Sequence, residues 1–318
     1  MVLADPSPAR APARALGRAL LLFGLLSLAV FLLPALLPGD PALTTLVERN
    51  QEPSAGNIAA LQAEWGFDDA LPVQYARWLG QLVTGDWGTS LRSGRPVADE
   101  IGARLPWSAA IGGGGLLLAV LLSLPAGFAA ALWRGGWFDR FTGLLSVAVQ
   151  TAPAFLIAVL LAWLLSAKLR WLSVYTGAPE ERLAIPVLLV ALYTFPPLAR
   201  VVRNACLTAA DEPYFLTALS KGLSRGRALL AHTGHPVALV LIAAVTPQMA
   251  WAIGGTAVVE VIFAIPGLSQ FVVESVVARD HAVLRAFILL VALGMIGVHL
   301  LAAFARAGID RRSPACAS

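Results

Sequence analysis

The chain has 318 residues, 58% hydrophobic and only 13% charged, with a mean hydropathy of +0.75. That composition excludes an ordinary soluble domain and belongs to an integral membrane protein. The net charge of +4 reflects membrane orientation and not nucleic-acid binding, because the basic residues gather on one side of the expected topology.

Residues 1–18 are rich in Ala, Pro and Arg and read as a disordered arm ending at the membrane surface. Apolar runs long enough to cross ~30 Å of hydrocarbon follow at 19–37, 106–132, 141–166, 183–199, 237–259 and 286–305. The expected fold is an all-α integral membrane protein with six transmembrane helices. Arg10, Arg14 and Arg18 make the first run look like a signal peptide, but it is longer than the usual apolar region and no small-x-small cleavage site follows, so it is read as retained. An even number of spans puts both termini on one side. The 76 residues on that side hold 13 of the 23 Lys and Arg residues, about double the density of the other side, so the termini are expected to be cytoplasmic in a cell inner membrane. Cys206 and Cys316 both fall on that side, where no disulfide is expected.

Residues 38–105 form a long external segment. Short amphipathic helices are expected at Asn57 to Glu64 and Val73 to Val83, between Gly and Pro turns, with too little core to stand alone. The second span contains four consecutive glycines, Gly112 to Gly115, each costing roughly 1 kcal/mol in a helix relative to Ala. Close helix packing is the expected compensation, with a narrow point on a translocation path as the alternative. Pro125 marks a kink. A short cytoplasmic turn, Trp133 to Arg140, leads to the third span. There Gln150 would line a polar path or hydrogen-bond between helices.

The longest polar island of the second half runs from Asp211 to His235. Asp211 and Glu212 before Pro213 favour a helix start, and Lys221 with Gly222 supplies a basic last turn and a stop. Ser224 can then cap a second helix reaching His235. On the first helix Tyr214, Ala218 and Lys221 share one face, and Phe215 and Leu219 a neighbouring one. Burying the two rings in a partner's groove would yield roughly 1.5 to 3 kcal/mol each, as in helix-in-groove docking. Periodicity alone fits an amphipathic linker on the headgroups equally well. Gly222 to Gly226 matches G-x-S-x-G, yet the strand-to-helix context that motif needs is missing from a helical corner. His232 and His235 could ligate a metal, perhaps with Cys206, but a structural or interface role is favoured and no metal site is assigned. The chain has no G-x-x-x-x-G-K-[ST] to cradle a nucleotide, and His299 is the one titratable side chain well inside a span, which argues for an external energy source.

The island resembles the cytoplasmic "EAA" loop of ABC importer permeases of the dipeptide, oligopeptide and nickel family. Y-x-x-T-A-x-x-K-G-L-S and R-x-L-L-x-H are met by Tyr214, Thr217, Ala218, Lys221, Gly222, Leu223, Ser224, Arg227, Leu229, Leu230 and His232. Leu37 to Pro41, Leu71 to Leu79, Gly85 to Val97 and Arg104 to Pro106 resemble the same family's external region, in the B-type permease that carries this insert. Counted from His232, the family's Gln, Gly pair and Glu fall without a gap on Gln248, Gly254, Gly255 and Glu260, and F-x-x-P-G-L on Phe263 to Leu268. Departures are local: Leu219 and Val240 stand where the family usually has Arg and Pro, and His235-Pro236 where it has Arg-Asn. They touch the fine geometry of the loop and not its class.

The resemblance implies a type I ABC importer permease fold. Residues 106–305 would be the core permease domain, 200–236 its cytoplasmic coupling loop and 306–318 a cytoplasmic tail. Tyr214, Phe215, Thr217, Ala218, Lys221, Gly222, Leu223, Ser224 and Arg227 would couple to an ATPase. Gln150, Gln248, Gly254, Gly255 and Glu260 would belong to the translocation path, with Glu260 solvated at its outer mouth. The implied partners are a second homologous permease, two ATP-binding subunits, an extracytoplasmic solute-binding protein and the lipid bilayer. ATP and Mg would be used by the ATP-binding subunits, with no cofactor and no catalytic site in this chain. The cargo would be peptides, nickel or metal-chelate complexes. An ATPase-independent channel or secondary carrier is the alternative.

Overall fold

The computed structural model describes residues 11–36, 41–48, 52–64, 69–171, 182–254 and 256–310. Among these residues all regular structure is helical apart from one antiparallel bridge between Thr89 and Pro96. The first half holds α1 (Ala11–Leu36), α2 (Pro41–Glu48), α3 (Ala55–Glu64), α4 (Leu71–Thr84), α5 (Val97–Leu132), α6 (Trp137–Thr151) and α7 (Ala154–Ala162), which runs on into a π-helix at Trp163–Lys168. The second half holds α8 (Ala184–Ala210), α9 (Pro213–Ser220), α10 (Arg225–His232), α11 (Gly234–Gly254), α12 (Ala257–Ile262), α13 (Leu268–Val277) and α14 (His281–Asp310).

Three of these helices are long and apolar enough to cross a bilayer unaided: α5, α8 and α14 through Ile309. Two bent pairs, α6 with α7 and α10 with α11, bring the number to five, and the described side chains of α1 give a shorter apolar stretch, Leu16–Leu32. Helix α1 starts at Ala11, so the expected arm 1–18 is helical over its last part, and its first ten residues lie outside the described ones. Residues 311–318 of the tail, including Cys316, also lie outside them.

The chain divides into two units. The first comprises residues 1–17, 106–270 and 294–318, and the second residues 18–105 and 271–293. In the first, α8 is the most buried of the three long helices and organises the rest. Gly115 of α5 lies so close to α8 that an added Cβ would sit 2.5 Å from Val190 Cβ, and Gly127 repeats the approach at 2.5 Å from Val202 Cβ. From Gly115 to Gly127 the contact advances from Val190 to Val202, so α5 and α8 run parallel. The chain between them must therefore recross.

That return is the bent pair. Helices α6 and α7 meet at 103°, where Ala152 is extended ahead of Pro153. A break at this depth would strand a carbonyl, but Tyr193 of α8 donates its hydroxyl to Ala152 O at 2.8 Å. The third expected span is thus two helices rather than one. Pro125, by contrast, sits inside the continuous α5.

Three apolar clusters follow α8 along its length. Ile185, Leu189 and Val190 pack with Ile111, Ala158, Val259, Phe263 and Ile265 near its start. Leu198 meets Leu116 and Ala119 midway. Val202, Ala205 and Cys206 join Phe215, Ala218, Ala228, Leu229 and Val237 at its end.

In the second unit, Phe31 of α1 packs 5.4 Å from the Tyr75 ring of α4, and Ser27 hydrogen-bonds Tyr75 at 2.7 Å. The insert's turn is fastened by a buried acid. Asp280 accepts from Ser90 Oγ at 2.6 Å, Leu91 N at 2.9 Å and Val283 N at 3.2 Å, which also caps α14. Arg92 pairs with Glu274 nearby, and Arg104 lies 4.2 Å over the Phe271 ring. Helices α3 and α4 cover both of the short helices expected in this segment.

Candidate functional site

The polar island folds as helix, glycine corner, helix. Pro213 occupies the first turn of α9 after an extended Glu212, where a missing N–H costs nothing. The helix ends in a Schellman motif. Leu223 N–H donates to Ala218 O at 3.3 Å and Gly222 N–H to Leu219 O at 2.9 Å, with Gly222 at φ +86°. Nothing lies within 4 Å of where a Gly222 Cβ would be, so glycine is required there by backbone conformation and not by crowding. Ser224 occupies the N-cap position of α10 without a side-chain cap bond, and α10 stops at His232 instead of reaching His235. Pro236 falls in the first turn of α11, where a proline is tolerated.

The corner's inward face differs from the expectation. Phe215 is 2% exposed and Ala218 4% exposed, both packed against Val202, Ala205, Leu229 and Val237 of the same chain. The Phe215 ring is therefore internal glue and not a surface offered to a groove. Tyr214, Thr217, Lys221, Gly222, Ser224 and Arg227 stay exposed, Leu223 is half-buried, and Leu230 of the motif and Leu216 outside it add two exposed apolar groups. Periodicity defines the faces of a helix, but which one turns inward depends on how α8 and α11, on either side of it in the chain, pack around it. Burial, assisted by the Glu212 charge, raises the Tyr214 phenol above its usual range and keeps it neutral.

Glu260 is the second constructed feature. It is 0% exposed, and its carboxyl oxygens accept from Ser108 Oγ at 2.7 Å, Thr256 Oγ1 at 2.6 Å and Gln270 N at 2.8 Å. Ser108 in turn accepts from Leu268 N at 2.8 Å. Side chains from α5 and α12 thereby cap the first turn of α13, whose amides would otherwise be orphaned. An added Cβ on Gly267 would lie 2.3 Å from Glu260 Cδ, so glycine is needed to admit the carboxyl. The expected solvated outer-mouth Glu260 is corrected: the fifth apolar run breaks after Gly254 and the chain folds back over the acid.

Gln150 is exposed and donates within its own helix to Ser146 O at 2.9 Å and Ser146 Oγ at 3.0 Å, instead of between helices. Gln248 is half-buried in α11, Gly254 ends that helix, and Gly255 lies outside the described residues. His232 and His235 line a cleft of about 780 Å³ with Glu212, Tyr214 and Asn204. Cys206 is apart from them, buried against the Thr233 hydroxyl at 3.7 Å. One ion pair escaped the sequence reading: Arg203 of α8 grips Asp139 of α6 through two bonds of 3.0 and 2.8 Å. Its partners lie 64 residues apart, beyond any local pattern.

Comparison with known proteins adds the last observation. Residues 123–313 match the family described as binding-protein-dependent transport system inner membrane component, and residues 12–111 match its N-terminal domain. The chain is 34% identical over 271 residues to the glutathione transport system permease protein GsiC of Salmonella paratyphi A, covering 85% of this chain and 88% of that protein. It is 32% identical over 276 residues to GsiC of Escherichia coli strain K12, covering 87% and 89%. With its all-helical fold and apolar spans, the chain belongs to the binding-protein-dependent transport system inner membrane component family, the multi-pass, non-catalytic permease subunits of ABC importers.

Proposed function

We propose that this permease forms half of the translocation path of an ATP-driven importer for peptides or related small solutes and works by alternating access. A second homologous permease completes the path, two ATP-binding subunits engage the cytoplasmic side, and a solute-binding protein delivers cargo from outside. Both termini are cytoplasmic. ATP and Mg are used by the ATP-binding subunits, and this chain holds no cofactor. The GsiC relatives, named for glutathione transport, support a short peptide as cargo over nickel or a metal chelate.

The observation that carries the coupling is the corner's double character. Its tip, from Lys221 to Ser224, is largely exposed, while Phe215 and Ala218 behind it are packed into the core at the end of α8. A load on the tip therefore moves α8 and α11 with it, since a packed interior transmits displacement instead of absorbing it. Closure of the ATP-binding subunits shifts the permease only so far as they contact the tip differently in their two states.

Gly222→Asp tests this. No neighbour obstructs the side chain, and the left-handed backbone costs roughly 1–2 kcal/mol for a non-glycine residue, so the variant inserts and folds. We expect it to lose ATP-binding subunits on purification from native membranes in mild detergent, and to lose ATP-dependent uptake of glutathione into proteoliposomes. Wild-type uptake and subunit recovery in the variant would remove the coupling role, and a wild-type chain purified alone with ATP-independent flux would favour a channel or carrier. Uptake of nickel but not peptide would reassign the cargo. Ala218 is unsuited to this test because an arginine there would split the core.

A further inference from the structure

A cleft of about 530 Å³ opens between the start of α6 and the second half of α8, lined by Asp139, Arg140, Leu144 and Val147 of α6 and by Arg200, Arg203 and Asn204 of α8. Arg203 is committed to Asp139 and to Asn204 Oδ1 at 3.1 Å. Among the described residues Arg140 and Arg200 have no ion-pair partner. The Asp139 pair thus holds the wall in place, and two guanidinium groups remain free to bind. On α6 Trp137, Phe141, Leu144 and Val147 recur at helical spacing on either side of Arg140 and are all exposed, Leu144 by 71%. Cationic groups, an apolar strip running on from Arg140 and a Trp one turn before it match the chemistry of a bilayer interface.

We propose that this cleft is a binding site for an anionic phospholipid of the cytoplasmic leaflet. Arg140 and Arg200 receive the phosphate, for which guanidinium forks are suited, and the Asn204 amide lies within the same wall for a headgroup hydroxyl. One acyl chain lies along the α6 strip. Basic pockets between transmembrane helices on the cytoplasmic side take such headgroups for the same physical reason. The site is separate from the coupling corner, and it rests on the orientation proposed above. Occupancy would brace α6 against α8 at the end of α8 that carries the corner.

The test uses the full chain in mild detergent, offered dioleoyl phosphatidylglycerol or dioleoyl phosphatidylcholine, with retained lipid counted by native mass spectrometry. Wild type should retain the phosphatidylglycerol in preference, and Arg140→Gln with Arg200→Gln should lower that preference by roughly tenfold. Arg225→Gln with Arg306→Gln removes the same charge from exposed positions elsewhere and should leave it unchanged. Thermal melting of both double variants reports folding independently. Equal retention of the two lipids by wild type, or equal loss in the two double variants, overturns the site. Displacement by millimolar inorganic phosphate would show that the cleft reads a free anion and would overturn the lipid assignment.

Discussion

Glu260 holds three donors on two oxygens, and that arrangement decides what a substitution there does. A carboxylate accepts from Ser108, Thr256 and Gln270 N together. The isosteric Gln keeps one acceptor oxygen and puts an NH2 in place of the other: toward Gln270 N that NH2 faces a donor, and toward Ser108 and Thr256 it is accommodated only if both hydroxyls turn from donating to accepting and give up their bonds to the acid. Glu260→Gln should therefore destabilise the chain by about 1–3 kcal/mol, although it adds no bulk and removes no atom of size. Gly267→Ala should do at least as much by a different route, since its Cβ would overlap the carboxyl at 2.3 Å and expel it from the cap. Thermal melting of both variants in detergent against wild type checks this, and an unchanged midpoint for Glu260→Gln would mean that the capping bonds contribute nothing. The presence of Glu260 was legible in the sequence by its register from His232, but its environment was not. Ser108 lies 152 residues away, and only the fold brings its hydroxyl to the acid.

Helices meet by the same logic of space. The approach of α5 to α8 depends on Gly115 and Gly127, where even a methyl group would stand 2.5 Å from a valine Cβ. Gly115→Ala should destabilise by about 1–3 kcal/mol through overpacking, and Val190→Ala in the same chain should restore part of that loss. Gly113→Ala meets open space and should be neutral or stabilising by up to roughly 1 kcal/mol. Melting of wild type, Gly115→Ala, Val190→Ala and the double variant forms a cycle, with Gly113→Ala measured beside it, and equal effects at positions 113 and 115 would show that the glycine run serves flexibility and not packing. A run of four glycines in an apolar helix marks close packing in the sequence itself. Gly127, isolated in an apolar stretch, gave no such signal, although it makes the second half of the contact. The break between α6 and α7 was also hidden. Pro153 was visible, but hydropathy is continuous across it, and whether a proline kinks or breaks a helix depends on a partner for the freed carbonyl, here Tyr193.

Across the whole first unit, α8 works as a rod joining two differently built ends. Its start shares a cluster with Val259, Phe263 and Ile265, beside the Glu260 cap, and its end shares one with the glycine corner. Movement at the corner can reach the Glu260 end only if the packing at both ends is stiff. Val202 is the residue at which this can be tested, because it touches Gly127 of α5 and belongs to the cluster holding Phe215. Val202→Ala removes two methyl groups and leaves a cavity costing roughly 1–3 kcal/mol, without altering the exposed tip. ATP-binding subunits should still co-purify at wild-type levels, while uptake falls several-fold because the load is spent in a looser joint. Gly222→Asp should show the opposite order, losing the partner first. If Val202→Ala lost subunit binding as fully as Gly222→Asp, the core behind the corner would be shaping the docking surface itself. If it kept both binding and uptake, force would have to reach α8 by another path, of which α10 and α11, joined at 58°, are the nearest.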